Sequence, residues 1–269
     1  MASNHQWYRS EKKNDFVFMN NHVSIKDVHT HWCDSRCADF NYWNKMHFEK
    51  NDNQPYLNKY QPGTTYQFGC FGCSVTRGTG TYRGEEWPAL IEKDGGSVIN
   101  LAENGLGPDG IYINLSNALK EFNIKKIMIV FPNLARRLQI LQKEKLYMRV
   151  PTTIQDCDDD EALRYSMFCT PEQRQILLNK LTKDMASGYL EKRSKKIIKK
   201  TIKLIKDHGK TGWFSSYDDA TYSYLESLGV GDSLLPRFPK SDNLGLDKQH
   251  HSAKQHFDWY QQIKERLDL

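Results

Sequence analysis

The chain has 269 residues, enough for one sizeable α/β domain with an extension or for two small domains. Hydrophobic residues make up 38% and aromatic residues 12%, which excludes wholesale disorder, and no apolar run approaches the ~20 residues of a bilayer span. The mean hydropathy is −0.73, and the net charge of +5 is concentrated between Lys192 and Lys210.

Residues 1–62 lack clear periodicity and carry Trp7, Trp32, Tyr42 and Trp43. They are expected to form an N-terminal extension, either wrapped around the main domain with the aromatics as anchors or folded as a small module. Residues 1–13 are polar and lack the apolar stretch of a secretory signal. The expectation is a soluble, cytoplasmic protein, with export by another route left open. The Asn-, Lys- and Tyr-heavy composition would also suit a viral or virion-associated protein. Pro62-Gly63 marks a turn, after which residues 63–269 form the main domain.

From Thr64 the pattern alternates between strand and helix. Residues 65–71 (TYQFGCF) read as a strand rich in β-formers, followed by a Gly- and Thr-rich loop to Gly84. Residues 87–93 read as a helix with Pro88 in its first turn, and residues 97–101 (SVINL) as a short buried strand. Ile111, Leu115, Leu119 and Phe122 lie at helical spacing within residues 108–123. Residues 126–131 (KIMIVF) form an apolar run of the kind found in parallel sheets.

An insertion over residues 134–209 interrupts the pattern. It holds the acidic run Asp156, Asp158, Asp159, Asp160 and Glu161, expected in a solvated loop, and a Lys-rich helix with the apolar stripe Ile198, Ile202 and Ile205 capped by Gly209. The lysines read as that helix's solvated face, so nucleic-acid or membrane contact is the minor alternative. A strand (residues 211–216), a helix (219–228) and a last short strand (234–238) follow. Ser252 and Gln255 then make a capping box for a helix whose apolar face is Phe257, Tyr260, Ile263 and Leu267. Repeated β-α alternation implies a mostly parallel sheet with helices on both faces, and sites in such sheets form beyond the carboxyl ends of the strands.

Six cysteines occur, expected as reduced thiols. Cys33-x-x-x-Cys37 and Cys70-x-x-Cys73, with His29 and His31 nearby, leave a zinc site conceivable. The preferred reading makes Cys70 and Cys73 small packing residues. No metal or organic cofactor is expected.

Two segments carry reactive side chains. Ser74 follows the first strand in Phe71-Gly72-Cys73-Ser74-Val75-Thr76, where a serine at the tip of a strand-to-helix turn can act as a nucleophile and offer its N–H to an oxyanion. Asp247-Lys-Gln-His250 precedes the last helix, where the carboxylate can orient one imidazole nitrogen and leave the other as a base. Each segment taken alone reads first as ordinary polar residues beside a turn.

Taken together with residues 98–107 and 127–133, these segments resemble, in order, the four blocks of the SGNH (GDSL-like) hydrolases across residues 64–269. The resemblance implies a three-layer α/β/α sandwich with a flavodoxin-like sheet. It makes Ser74 the nucleophile, His250 the base and Asp247 its orienter. Gly105 and Asn133 would complete the oxyanion hole with the Ser74 N–H. The departures are Cys73 for the usual Asp, Phe131 and Leu134 for the Gly and second Asp of the third block, and His251 for Pro. The string Gly231-Asp232-Ser233-Leu234 spells the family's other name, yet it leaves no room for the middle blocks before Asp247, so Ser233 is expected to be a turn residue. The implied activity is hydrolysis of a small-molecule or carbohydrate ester. The alternative is a catalytically degenerate fold that binds a carbohydrate or a protein partner.

Overall fold

The computed structural model describes residues 4–6, 20–22, 63–81, 84–102, 106–141, 146–150, 179, 183–184, 186–240 and 250–267. Near the N-terminus, β1 (Asn4–Gln6) pairs antiparallel with β2 (Asn20–His22). The main sheet begins with β3 (Thr65–Gly72), followed by the single helical turn α1 (Ser74–Arg77) and by α2 (Trp87–Lys93). β4 (Val98–Asn100), α3 (Pro108–Glu121) and β5 (Asn123–Phe131) come next. A hairpin of β6 (Arg137–Leu141) and β7 (Leu146–Val150) follows. The chain continues with α4 (Tyr189–Asp207), β8 (Thr211–Ser216), α5 (Asp219–Ser227) and α6 (Ala253–Ile263).

The four-stranded sheet is parallel throughout, in the order β4-β3-β5-β8. Residues 234–238 run beside β8, with Leu235 N–H donating to Phe214 O and Phe238 N–H to Ser216 O. They hold the outer position of the flavodoxin-like 2-1-3-4-5 order. The expected last strand is nevertheless reduced to one parallel bridge, Phe214 to Leu234. Beyond the bridge the Ser215 hydroxyl joins the two segments, donating to Pro236 O and accepting the Phe238 N–H, in place of a regular ladder.

Side chains alternate across β5 as its pleat requires. Ile127, Ile129 and Phe131 enter a core with Ile111 and Leu115 of α3 and Ile198 and Ile202 of α4. Met128 and Val130 enter a second core with Trp87 and Ile91 of α2 and Trp259 and Ile263 of α6. Helices therefore cover both faces, and the three-layer α/β/α architecture expected from the β-α alternation is the one observed.

Several expected elements are adjusted. The loop after β3 contains a helical turn, and the insertion contains the β6–β7 hairpin, which was not anticipated. Gly209 does close α4, at φ 63° with its N–H on Lys206 O. Phe257 does not join the apolar face of α6 and is 51% exposed. The buried face instead runs through His256, Trp259, Tyr260, Ile263 and Leu267. His256 claims its place because its Nδ1 accepts the Trp87 N–H at 3.4 Å. Cys33, Cys37, His29, His31 and the acidic run lie outside the described residues. Cys70 and Cys73 are buried free thiols in the second core, as expected of packing residues.

Candidate functional site

In the order β4-β3-β5-β8 the chain steps outward from β3 to β4 and then back across to β5. The switch point therefore lies between β3 and β5, and in open parallel sheets sites form beyond the carboxyl ends of the strands at such a point. Ser74 sits at this point. Gly72 pairs with Val130 in the last register position of the two strands, Cys73 is the N-cap, and Ser74 is the first residue of α1. At that position the Ser74 N–H has no acceptor within the helical turn. Its carbonyl accepts from Gly78 and Thr79, closing the turn on Gly78 in the left-handed conformation.

The turn is tight enough to require glycine at position 72. A Cβ there would stand 2.1 Å from Thr76 Oγ1 and 2.9 Å from the Val130 carbonyl. The Asn100 amide holds α1 from the other side, donating to Thr76 O at 3.1 Å while its Oδ1 accepts the Ala102 N–H at 3.2 Å. Asn100 thus ties the serine turn to the segment leading toward Gly105, which itself lies outside the described residues.

Ser74 is 5% exposed, and among the described residues its hydroxyl makes only a long contact with Cys73 Sγ, at 3.9 Å. The Cys73 thiol in turn approaches Tyr217 Oη at 3.7 Å. Burial holds the Tyr217 phenol well above its ordinary pKa, opposed by the Arg136 charge, so it remains protonated at any physiological pH. The Tyr217 ring lies 5.8 Å from that of His251. Contacts therefore run from Ser74 through Cys73 and Tyr217 to the residue beside His250.

Asn133 follows β5, the neighbour of β3. Its Nδ2 donates to Asp218 Oδ1 at 2.9 Å, and its Oδ1 accepts the Ala135 N–H at 2.7 Å. Asp218 is also the N-cap of α5, its Oδ2 accepting from the Thr221 N–H and hydroxyl. Thr221 and Ser216 then donate to Pro132 O and Phe131 O. The N-terminus of α5 thereby clamps residues 131–133.

His250 precedes α6, the helix that packs on the face of the sheet holding the second core. It is half-buried, directly before the Ser252–Gln255 capping box of α6. The neighbouring side chains fix this entry. His251 Nε2–H donates to Pro239 O at 2.8 Å, and the Gln255 amide donates to Lys240 O. Tyr260 of α6 donates to Asp94 at 2.7 Å, and Lys264 pairs with the same carboxylate at 2.6 Å, which locks α6 onto the end of α2. His251 itself is buried, with an Nδ1 that has no partner among the described residues; burial lowers its pKa to about 4, so the ring is neutral near pH 7. Asp247 lies outside the described residues.

Ser74, Asn133, Tyr217 and Asp218 thus all follow the carboxyl ends of adjacent strands. Ser233 belongs to a 3₁₀ turn, residues Gly231–Ser233, as expected of it. Sequence reasoning passed over Asn100, Tyr217 and Asp218. Their signal is position alone: Asn100 ends β4, and Tyr217 and Asp218 are the first two residues after β8. Among the described residues no cluster of His, Cys, Asp and Glu is arranged to hold a metal.

No protein-family model and no curated protein matches the chain. Among solved structures it is similar to TesA, at 11% identity and a TM-score of 0.43 over 75% of this chain and 97% of that one. It is also similar to a GDSL-like lipase from Bacteroides thetaiotaomicron, at 12% identity and a TM-score of 0.31 over 82% of this chain and 97% of that one. Both likenesses are distant, and what the chain can do chemically is read from its own residues.

Proposed function

We propose that the chain is a serine ester hydrolase of the acyl-esterase or carbohydrate-deacetylase type. The observation that carries this reading is the placement of Ser74: first residue of a helical turn, at the switch point of a parallel sheet, its hydroxyl engaged among the described residues by nothing stronger than a thiol at 3.9 Å. The Ser74 oxygen attacks an ester carbonyl while His250 takes its proton and Asp247 orients the imidazole. The N–H groups of Ser74 and Gly105 and the Asn133 amide receive the oxyanion. The alkoxide leaves with the proton from His250, and water activated by the same imidazole releases the acid. A small-molecule or carbohydrate ester is the substrate class, and no cofactor enters the reaction.

The test is hydrolysis of p-nitrophenyl acetate and butyrate by wild type, Ser74→Ala and His250→Ala. Turnover by wild type, with both variants at background and folded, is the expected result. Equal turnover by wild type and Ser74→Ala removes Ser74 from the reaction.

A second reading, a degenerate fold that binds a carbohydrate or a protein partner, is favoured by one observation: the Asn133 amide already donates to Asp218. Labelling of Ser74 by a fluorophosphonate probe eliminates it.

A further inference from the structure

The helix α4 carries seven lysines and one arginine against two acids, Glu191 and Asp207. Its apolar face is spent on the core, where Leu190, Ile198, Ile202 and Ile205 are buried together with Ser194 and Thr201. Lys192, Lys196, Lys199, Lys203 and Lys206 recur at spacings of four and three on the opposite face, with Lys200 beside them. Three of the eight cations are paired: Arg193 with Asp109, Lys195 with Glu191 and Lys203 with Asp207. Lys192, Lys196, Lys199, Lys200 and Lys206 are all exposed and have no ion pair among the described residues. At 1.5 Å per residue they form a band of charge about 21 Å long on the exposed side of the helix.

Position decides what such a band fits. β8 begins just after α4 ends, so the helix runs from the carboxyl edge of the sheet to its amino edge, along the flank of the domain. The stripe does not ring the strand ends where Ser74 sits. A planar lipid surface laid on it would meet the side of the protein, and the helix has no apolar face left to insert. Single-stranded nucleic acid calls for aromatic side chains interleaved with the charges, and α4 has only Tyr189, at its first position. A band of point charges without forks or stacking planes matches the regularly spaced phosphates of a duplex.

We propose that the lysine stripe of α4 docks the phosphate backbone of a nucleic-acid duplex, without sequence selection. The contact is independent of the esterase reading, since it uses none of the residues assigned to that chemistry.

The experiment is fluorescence anisotropy of a labelled 24-base-pair mixed-sequence DNA duplex titrated with the full chain between 50 and 200 mM KCl. Five released counterions correspond to a log–log slope of about −4.5, so affinity falls roughly five hundred-fold across that range. The triple variant Lys196→Gln, Lys199→Gln, Lys200→Gln keeps the helical circular dichroism and thermal midpoint of wild type, and its slope drops to about −2. Absence of saturable binding at 50 mM KCl overturns the proposal, as does an unchanged slope in the folded triple variant. Stripe-dependent binding to phosphatidylcholine–phosphatidylserine vesicles with none to the duplex overturns it in favour of a lipid surface.

Discussion

The side-chain amide of Asn133 donates to Asp218 Oδ1 at 2.9 Å, so a residue just after β5 is held by the N-cap of the helix after β8. A primary amide carries two hydrogens, and this bond engages one of them. The other has no acceptor among the described residues. On the esterase reading, Asn133→Ala lowers kcat by about 10²–10³ while leaving KM nearly unchanged, because the donor acts on charge that develops in the transition state. Steady-state kinetics on p-nitrophenyl butyrate decide it, and a fall in kcat of less than threefold removes Asn133 from the oxyanion hole.

Asp218→Ala tests the clamp. The substitution removes an N-cap, a loss of about 1 kcal/mol, and frees the loop that presents Asn133. Urea denaturation is expected to show that loss. Kinetics at low temperature, where the variant is fully folded, are expected to show reduced kcat as well. Stability loss with unchanged kcat would make Asp218 a cap and nothing more.

Gly72→Ala places a methyl group 2.1 Å from Thr76 Oγ1 and 2.9 Å from a backbone carbonyl of β5. The carbonyl cannot swing away as a side chain can, so α1 has to shift. Overpacking of this kind costs about 1–3 kcal/mol. A chemical denaturation midpoint equal to wild type would show that the turn yields freely, contrary to the geometry.

His251 makes stability depend on pH. Its folded pKa of about 4, set first by burial, lies below the ordinary histidine value of 6.5. Between those values the unfolded chain binds the proton that the folded chain refuses, so stability falls as pH drops from about 6.5 to 4. The contribution is at most about 3 kcal/mol. His251→Gln is expected to flatten the wild-type dependence over that window, measured as the difference between the two urea-derived stability curves. Parallel curves would mean that His251 is protonated without cost.

Ser233→Ala is the control for the misleading string. Ser233 occupies a 3₁₀ turn after α5, and its replacement is expected to leave ester hydrolysis within twofold of wild type. Loss of activity in this variant with retention in Ser74→Ala would reverse the assignment of the nucleophile.

Local physics was enough to read the architecture. The apolar run of β5, the isoleucine stripe of α4 and the capping box of α6 express periodicity and end chemistry that neighbouring residues settle among themselves. Their alternation implies a parallel sheet, and it also puts Ser74 at a strand end. Where several local preferences compete, tertiary contact decided. The Ser215 hydroxyl, bonded to Pro236 O and the Phe238 N–H, stands where an expected strand would continue beyond a single bridge, and the Trp87 N–H meets His256 rather than Phe257 on the buried face of α6. The candidate site needed the fold most. Asn133 meets Asp218 across 85 positions and Cys73 meets Tyr217 across 144, and no short-range pattern encodes contacts that exist only because neighbouring strands in the sheet end side by side.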